Sequence, residues 1–500
     1  MVAAETVFRE GKVGIILQPG ELMASGGGRI GTPGSRSTFV VGSGPNGLTA
    51  AIVMAQAGRR VTVFEAEPGV GGGARSAELT LPGFVHDVCS AIHPLGAGSP
   101  VFRTVPLEKF GLQWVHPEIP LAHPLDDDSA AVLARSVEET AGLLGEDGRS
   151  YYGLVEPAVR RWDEISELVL APRIPRHPAF LLGLGWDALK PVTRLARRRF
   201  RGQPARALFA GLGAHAMLPL EHLGTSAIAL ALGVAGHAVG WPFPRGGAQK
   251  ISDALAGYAR SLGVEIRTST RVTSLKELPR GAEVLCDITP RQLLQLGGEA
   301  LPRPLRRRLK GYRYGMAAFK VDWALSAPIP WKAEACRRAG TVHLGGTLEE
   351  IAAGERTAWR GQTPQTPFVL LAQHTLFDPT RAPADQHTAW AYCHVPNASA
   401  EDMLPRIEAQ IERFAPGFGN SILARSVTTP ARLEAHNANL VGGDISGGSM
   451  DFRQMFLRLG ARPSASSPWR VWLCSSSTFP APGVHGMCGY FAAQACLRSR

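Results

Sequence analysis

The sequence predicts an α/β fold of the doubly wound, Rossmann-like type, and two observations predict it. The β-rich run Phe39-Val40-Val41 is followed by the glycine-rich turn GSGPNG and by the apolar, helix-like segment LTAAIVMAQAG. A second strand-like run, Val61-Thr62-Val63-Phe64, comes after this segment and ends at Glu65. A strand, a tight turn, a helix and a second strand in this order form the βαβ unit on which such folds are built.

The glycine-rich turn has a chemical meaning as well as a structural one. Gly42 permits the turn, Gly44 leaves out a Cβ where the backbone would approach a pyrophosphate, and Gly47 lets the helix pack closely on the strand. Amides at the helix start then face the phosphates. Glu65 follows Gly42 by 23 residues, near the spacing of the acid that binds an adenosine ribose. The candidate cofactor-binding residues of this unit are Gly42, Gly44, Pro45, Asn46, Gly47, Glu65 and Ala66.

A second glycine cluster follows Glu65 and indicates which dinucleotide is bound. It runs from Gly71 to Gly73 and is followed by Arg75 and Ser76. A simple nicotinamide dehydrogenase needs no such cluster, whereas the pattern resembles the flavoprotein segment that wraps the pyrophosphate of FAD. We therefore predict FAD, with Gly71, Gly72, Arg75 and Ser76 as further contacts. A flexible surface loop is the alternative interpretation of this segment.

Two distant segments extend the pattern: GWPFPRGG (240–247) before a helix-like run, and SSSTFPAPGVHGMCG (475–489) after a strand-like one. From Thr38 to Leu497 the chain resembles the FAD-dependent phytoene desaturase and carotenoid isomerase family, most closely its pyridine nucleotide-disulfide oxidoreductase domain-containing protein 2 branch. The resemblance implies an adenine contact at Val272 and a helix N terminus at the flavin ring, with Gly483, Val484 and Gly486 there. Relatives usually have glycines at several positions of Ser475 to Ser477 and Ala481-Pro482, which puts close cofactor approach there in question.

The positions of these motifs predict the domain organisation. A disordered tail spans 1–36, a discontinuous FAD-binding domain is built from 37–125, 240–300 and 440–500, and a mixed α+β substrate domain is built from 126–239 and 301–439. The first insertion is predicted to be mainly helical, with Ser129 to Gly145 as its clearest amphipathic helix. The second contains the strand-like segments AAFKVDWAL and TPFVLLAQHTL, which we expect to form a sheet over the flavin.

Catalytic residues are harder to find than the cofactor site. Hydride transfer to a flavin depends on positioning and exclusion of water more than on a strong acid or base. The candidates are His93, and Thr478 with Phe479 in the closing loop. A structural role for His93, hydrogen-bonded to backbone, is the alternative to a proton shuttle.

Composition excludes several classes of function. The 500 residues carry a formal charge of +11, yet no nucleic-acid-binding module is present. The seven cysteines include no CxxC pair, so neither dithiol exchange nor a zinc site is expected. The longest apolar stretch, Thr225 to Gly240, is too short for a spanning helix, and we expect a cytoplasmic protein.

The segment from His177 to Phe200 suggests a peripheral membrane contact. It combines Phe, Leu and Trp side chains with a cluster of arginines, a composition suited to the surface of an anionic bilayer. A core helix with a solvated basic end is the alternative, and Pro191 would interrupt any single long helix.

The sequence therefore predicts an FAD-dependent oxidoreductase that dehydrogenates or isomerises an apolar, polyene or lipid-like substrate by hydride transfer to flavin N5. The electrons would pass to oxygen or a quinone. A flavin amine oxidase is one alternative, and it would require an aromatic cage and a lysine facing the flavin. A non-catalytic regulatory flavoprotein that binds a protein partner is another, and Ser475 to Ser477 would favour it.

Overall fold

The computed structural model describes residues 37–170, 178–458, 468–480 and 482–499. The predicted tail at 1–36 lies outside the described residues, as do His177 and Ala481.

The strands carry the two sheets that position the site. They are β1 (Ser37–Val41), β2 (Arg60–Phe64), β3 (Ser76–Glu78), β4 (Val85–Asp87), β5 (Trp114–Val115), β6 (Ile119–Pro124), β7 (Ala130–Leu133), β8 (Phe243–Pro244), β9 (Glu265–Arg267), β10 (Glu283–Cys286), β11 (Ala317–Leu325), β12 (Ala339–Leu344), β13 (Val369–Ala372), β14 (His387–Val395), β15 (Ile422–Thr428) and β16 (Arg470–Leu473).

The α-helices connect and cover these sheets. They are α1 (Pro45–Gln56), α2 (Pro94–Ala97), α3 (Val137–Leu143), α4 (Gly148–Val159), α5 (Trp162–Leu170), α6 (Pro178–Ala188), α7 (Val192–Arg199), α8 (Gln203–Ala214), α9 (Thr225–Ala238), α10 (Gln249–Ser261), α11 (Pro290–Gly297), α12 (Arg303–Lys310), α13 (Glu334–Arg337), α14 (Leu348–Trp359), α15 (Leu404–Phe414), α16 (Pro430–His436), α17 (Phe452–Leu457) and α18 (Met487–Arg498).

A five-stranded parallel sheet contains the predicted βαβ unit, in the order β16-β10-β1-β2-β9. Val40 of β1 pairs with Val63 on one side and with Leu285 on the other. The strands are mainly apolar because both faces are covered, by α1, α10 and α18 on one side and by α11 and α12 on the other. The predicted Rossmann-like fold is confirmed.

A seven-stranded sheet forms the second layer, in the order β15-β11-β14-β13-β12-β6-β7. Its pairs are antiparallel except for β12 with β6. Strand β6 lies within the segment 37–125 that we assigned to the FAD-binding domain. Because all six of its residues are buried and it pairs between β12 and β7, the second sheet begins before residue 126.

The two faces of the seven-stranded sheet differ in character. On one face Phe319, Val321 and Trp323 join an apolar core that includes residues of α15. On the other face Lys320 lies opposite Tyr392, and Asp322 opposite Trp390. This second face, called the polar face below, packs towards the helices from α3 to α9, since Trp390 and Tyr392 share a buried cluster with them.

One prediction about the first insertion needs correction, and another agrees with the structure. Ser129 to Gly145 is not one helix: its first part is β7, because Ala131 pairs with His123 of β6, and α3 starts only after Ser136. The Ser136 hydroxyl caps α3 by accepting the Glu139 amide. Pro191 separates α6 from α7, as its sequence position predicts.

No helix among the described residues is long and apolar enough to cross a membrane.

Candidate functional site

The turn between β1 and α1 brings backbone close to backbone. The Gly42 amide donates to the Phe64 carbonyl (2.8 Å), which fastens the turn to β2. A Cβ at Gly47 would lie 2.2 Å from the Gly42 carbonyl oxygen, and one at Gly44 would lie 2.5 Å from Oδ2 of Asp287. Backbone packing therefore requires glycine at position 47, whereas a Cβ at position 44 would displace the Asp287 carboxylate. The start of α1 lines the cavity.

Glu65 is held in place at the end of β2. Its Oε2 accepts the amide (3.0 Å) and the hydroxyl (2.5 Å) of Ser43, and its Oε1 accepts the Glu67 amide (2.9 Å). The Arg75 guanidinium lies 3.6 Å from Oε1. A carboxylate offers about four lone-pair positions, so a ribose hydroxyl can still donate to it.

The second glycine cluster packs directly on the first turn. The Gly71 amide donates to the Ser43 carbonyl (3.0 Å), and a Cβ at Gly72 would lie 3.1 Å from the Gly44 Cα. Both glycines have positive φ, +129° and +55°. The alternative of a flexible surface loop does not fit these contacts, because the segment is part of the wall of the site.

A cavity of about 580 Å³ opens between these segments and two that are distant in sequence. Residues 270–273 line it, and the hydrogen bond from the Thr270 amide to the Glu65 carbonyl (2.7 Å) holds this segment beside the end of β2. The closing loop before α18 reaches it from the C-terminal end of the chain. The predicted cofactor residues that line the cavity are Gly42, Gly44, Pro45, Asn46, Glu65, Ala66, Gly72, Arg75, Val272, Gly483 and Val484.

The remaining predicted cofactor residues lie behind the cavity wall. Gly47 packs against the turn, Gly71 against Ser43, and the Ser76 hydroxyl donates to Asp87 (2.7 Å). A Cβ at Gly486 would lie 2.4 Å from Oγ1 of Thr49, so this glycine lets α18 begin against α1. These residues support the site without lining it.

Asp287, at the end of β10, was not singled out from the sequence. Asp287 lines the cavity, and its Oδ2 accepts the Gly47 amide at 2.9 Å. Burial, together with the negative charge of Glu65, raises the pKa of Asp287 to about 7. Carboxyl ends of parallel strands meet at the ligand edge of such sheets, so recognising EVLC as a strand would have found this residue.

The three catalytic candidates are placed differently by the structure. His93 is buried, its Nε2 lies 3.2 Å from the Ser90 hydroxyl, and burial lowers its pKa to about 4. Ser90 lines the cavity, whereas His93 itself does not. The structure does not bring Thr478 or Phe479 to the cavity: the Thr478 hydroxyl donates to the Ser475 carbonyl (2.8 Å), and Phe479 packs near Phe491.

The serine-rich closing loop accommodates its serines without backbone strain. None of Ser475, Ser476 and Ser477 is among the residues with positive φ. Ser475 and Ser476 line the cavity, and the Ser477 hydroxyl donates to the Gly447 carbonyl at 2.6 Å. The doubt that these serines raised about cofactor approach is therefore not supported by the backbone; Pro482 follows the undescribed Ala481.

The polar face of the seven-stranded sheet supplies a second group of residues that sequence reasoning missed. The ammonium of buried Lys320 forms an ion pair with Asp322 and lies 5.9 Å from the centre of the Trp390 ring. Trp390 and Tyr392 pack edge to face at 5.3 Å. The signal was a charged residue in the apolar run AAFKVDWAL, but which face it occupies depends on strand register.

This polar face is connected to the cavity through Cys89. Cys89 lines the cavity and packs against the cluster that contains Trp390 and Tyr392. Burial raises the pKa of the Cys89 thiol to about 11, while the nearby positive charge of Lys320 opposes that rise. Ile92, Leu440 and Ile445 also belong to both the cavity wall and the cluster.

All seven cysteines are free thiols. No group of three or more His, Cys, Asp or Glu side chains in the described ranges could hold a metal ion.

Comparison with known proteins identifies the fold of this site. Residues 40–105 match the NAD(P)-binding Rossmann-like domain. The chain carries a Rossmann-like dinucleotide-binding domain. It is homologous to mouse pyridine nucleotide-disulfide oxidoreductase domain-containing protein 2, with 26% identity over 92% of this chain and 93% of that protein. It is also homologous to phytoene dehydrogenase of Streptomyces griseus, with 27% identity over 78% of this chain and 81% of that protein.

Solved structures show the same fold over most of the chain. An oxidoreductase from Methanosarcina mazei superposes with a TM-score of 0.63 at 15% identity, covering 93% of this chain and 100% of that one. Cyclohexylamine oxidase from Brevibacterium oxydans gives a TM-score of 0.55 at 13% identity, covering 93% and 99%. The resemblance and fold predicted from the sequence are confirmed, and the comparisons support FAD as the predicted cofactor.

Proposed function

We propose that this chain is an FAD-dependent oxidoreductase that dehydrogenates or isomerises an apolar, polyene or lipid-like substrate. The observation that carries the proposal is that the first turn, the second glycine cluster, Val272 and the closing loop all line the same cavity. Four segments from distant parts of the chain converge there, which suits a ligand longer than a mononucleotide.

The residues present fit FAD. Asn46 lines the cavity, and its buried Oδ1 has no hydrogen-bond partner among the described residues, so it is an acceptor that a bound group could satisfy. Gly44 and Gly72 both line the cavity, where their backbone is available to a ligand, and their missing Cβ atoms let the two turns and Asp287 pack together. Glu65 would hold the adenosine ribose, the start of α1 the pyrophosphate, and Val272 the adenine.

Hydride abstraction is the chemistry that bound FAD would supply, since flavin N5 accepts a hydride that no protein side chain can take. The chain's own contribution is to exclude water and to position the substrate. Ile92, Leu440 and Ile445 make one part of the cavity wall apolar and continue into the buried cluster of the substrate region. An apolar substrate would lose its contact with water when it binds against this wall, which favours binding. The homology to phytoene dehydrogenase supports an apolar substrate as well.

The experiment is anaerobic reduction of the purified protein. A yellow protein should be bleached by phytoene or by a related polyene, and its colour should return when oxygen or a quinone is admitted. A folded protein that cannot be reconstituted with FAD would contradict both the cofactor and the reaction. A yellow protein that no apolar compound bleaches would contradict only the substrate class.

Amine oxidation is a second candidate, and the polar face of the sheet favours it. It offers a buried lysine, Lys320, beside the edge-to-face pair of Trp390 and Tyr392. The structural similarity to an amine oxidase supports the comparison. Putrescine and cyclohexylamine are suitable probes: bleaching by either one, lost in a Lys320→Met/Asp322→Asn variant that still binds FAD, would favour this candidate over the first.

A further inference from the structure

Three large apolar side chains are exposed together where α6 ends and α9 begins. The exposed fractions are 68% for Trp186, 46% for Leu189 and 60% for Leu223. The chain segments are in contact, because the Gly224 amide donates to the Leu189 carbonyl at 2.9 Å. We call Trp186, Leu189 and Leu223 the interfacial patch. Contiguous exposed apolar side chains with a polar rim mark interaction sites, whereas single ones do not.

Basic side chains border the interfacial patch on the side of α7. The Lys190 ammonium lies 5.8 Å from the centre of the Trp186 ring and 2.5 Å from the Asp187 carboxylate. Arg199, at the end of α7, also donates to Asp187, at 2.7 Å. Asp187, the residue next to Trp186, therefore links the last turn of α7 to the interfacial patch.

Helix α7 presents its remaining arginines to solvent. Val192, Leu195 and Ala196 are buried, whereas Arg194 and Arg198 are exposed and lie one turn apart on the outer face. Arg197 is paired with Glu349 at 3.1 Å. Within the described ranges, neither Arg194 nor Arg198 has an acidic partner, so the face of α7 carries uncompensated positive charge.

We infer that the interfacial patch and the arginine face of α7 dock this protein on an anionic lipid bilayer. Trp and Leu side chains would enter the boundary between headgroups and acyl chains, while the arginines remain at the headgroup level. Charge complementarity selects this occupant, because an apolar protein partner would gain nothing from the unpaired arginines and an anionic surface attracts them. The contact lies on the membrane surface and involves no spanning helix.

The test uses the full-length protein and sedimentation with vesicles. The protein should bind vesicles of phosphatidylcholine mixed with phosphatidylglycerol, bind pure phosphatidylcholine weakly, and be released by added salt. The variant Trp186→Ala/Leu189→Ala/Leu223→Ala should partition about tenfold less or lower still, because the apolar anchor is removed. Arg194→Gln/Arg198→Gln should weaken binding to the anionic vesicles about fivefold for each charge removed.

A matched control distinguishes loss of the interfacial patch from the loss of any exposed leucine. Leu143 of α3 is 59% exposed, so Leu143→Ala should bind vesicles as the wild type does. Circular dichroism melting checks that each variant is folded. A wild type that stays in the supernatant with both vesicles overturns the inference, as does a folded triple variant that binds like the wild type. A lipid-free dimer that the triple variant dissociates would assign the patch to a second copy of the chain and overturn it too.

Discussion

The carboxylate of Asp287 accepts the amide of Gly47 at 2.9 Å, at the start of the helix whose N terminus would receive the pyrophosphate of the cofactor. The end of β10 thus places a second acidic group, besides Glu65, beside the position of an anionic ligand. Two carboxylates and a pyrophosphate in one low-dielectric site repel one another. The protonation state of Asp287 should therefore decide how well the site accepts FAD.

The first prediction is that FAD affinity falls as pH rises through about 7, the pKa of Asp287 in the protein without ligand. Binding an anion beside Asp287 favours its protonated form, so the complex takes up a proton. Asp287→Asn should remove this pH dependence and bind FAD at least as tightly above neutrality. Quenching of FAD fluorescence by apoprotein, titrated at several pH values, measures it. An unchanged pH profile in the variant would contradict the assignment.

The same group predicts how the stability of the apoprotein depends on pH. Burial raises the pKa of Asp287 from 3.8 to about 7, so the native state binds more protons than the unfolded state between these values. Stability from this group is therefore present below about pH 4 and lost as pH rises towards 7, by at most about 4 kcal/mol. Denaturant unfolding of the wild type and Asp287→Asn at pH 5 and pH 8 tests it, and the variant should lose less stability between them.

Close packing at the first turn predicts the effect of a single methyl group. In Gly44→Ala the new Cβ would lie 2.5 Å from Oδ2 of Asp287, so either the Asp287 carboxylate or the turn must shift, and FAD affinity should fall by about a hundredfold or more. Gly69→Ala is the matched control, because nothing lies within 4 Å of a Cβ there. Equal FAD affinities in the two variants would show that the turn does not contact the cofactor.

A buried ion cluster joins β4 to the segment after β13, and we expect it to be important for stability. The Arg381 guanidinium donates to Asp87 (2.7 Å), Asp378 (3.1 Å) and the Pro244 carbonyl (2.7 Å), and its side chain is fully buried. Arg381→Met leaves two carboxylates without this partner and should lower the free energy of unfolding by about 3–5 kcal/mol.

The control for this prediction is an exposed ion pair. Arg338 pairs with Glu118, and both side chains are about half exposed, 52% and 55%. Arg338→Met should change stability by about 1 kcal/mol or less, because solvent screens such pairs. Denaturant unfolding at neutral pH compares the two variants; a similar small effect in both would argue against the importance of the buried cluster.

His93 is expected to have a structural role. Its pKa of about 4 keeps the ring neutral at physiological pH, and its Nε2 is hydrogen-bonded to the Ser90 hydroxyl. His93→Gln should therefore leave the rate of flavin reduction within about threefold of the wild type and its pH profile unshifted between pH 6 and 8. Stopped-flow reduction of the variant measures both; loss of a kinetic pKa would instead indicate a proton shuttle.

The parts of the fold and site that follow from local chemistry could be predicted from the sequence. The turn from Gly42 to Gly47 and the acid Glu65 lie within one βαβ unit, where spacing alone determines geometry. The sequence predicts a helix over the short run from Ala130 to Leu133, whereas its pairing with β6 makes it a strand.

The residues that the sequence could not predict depend on long-range register. Lys320 and Trp390 share a sheet face because β11 pairs with β14 in the register that places Asp322 opposite Trp390. No local sequence pattern determines that register. Asp287 meets Gly47 only because β10 lies beside β1 in the sheet, although the two residues are 240 positions apart. Side chains brought together in this way become visible only when the strand order is known.

The most direct test of the account is a titration of the folded apoprotein with FAD, followed by visible absorption and FAD fluorescence. We expect saturable binding of one FAD per chain, with the flavin spectrum perturbed and the fluorescence quenched. Gly44→Ala should weaken this binding by about a hundredfold or more, and Gly69→Ala should retain it. A folded wild-type protein that leaves the spectrum and the fluorescence of FAD unchanged would contradict the central claim.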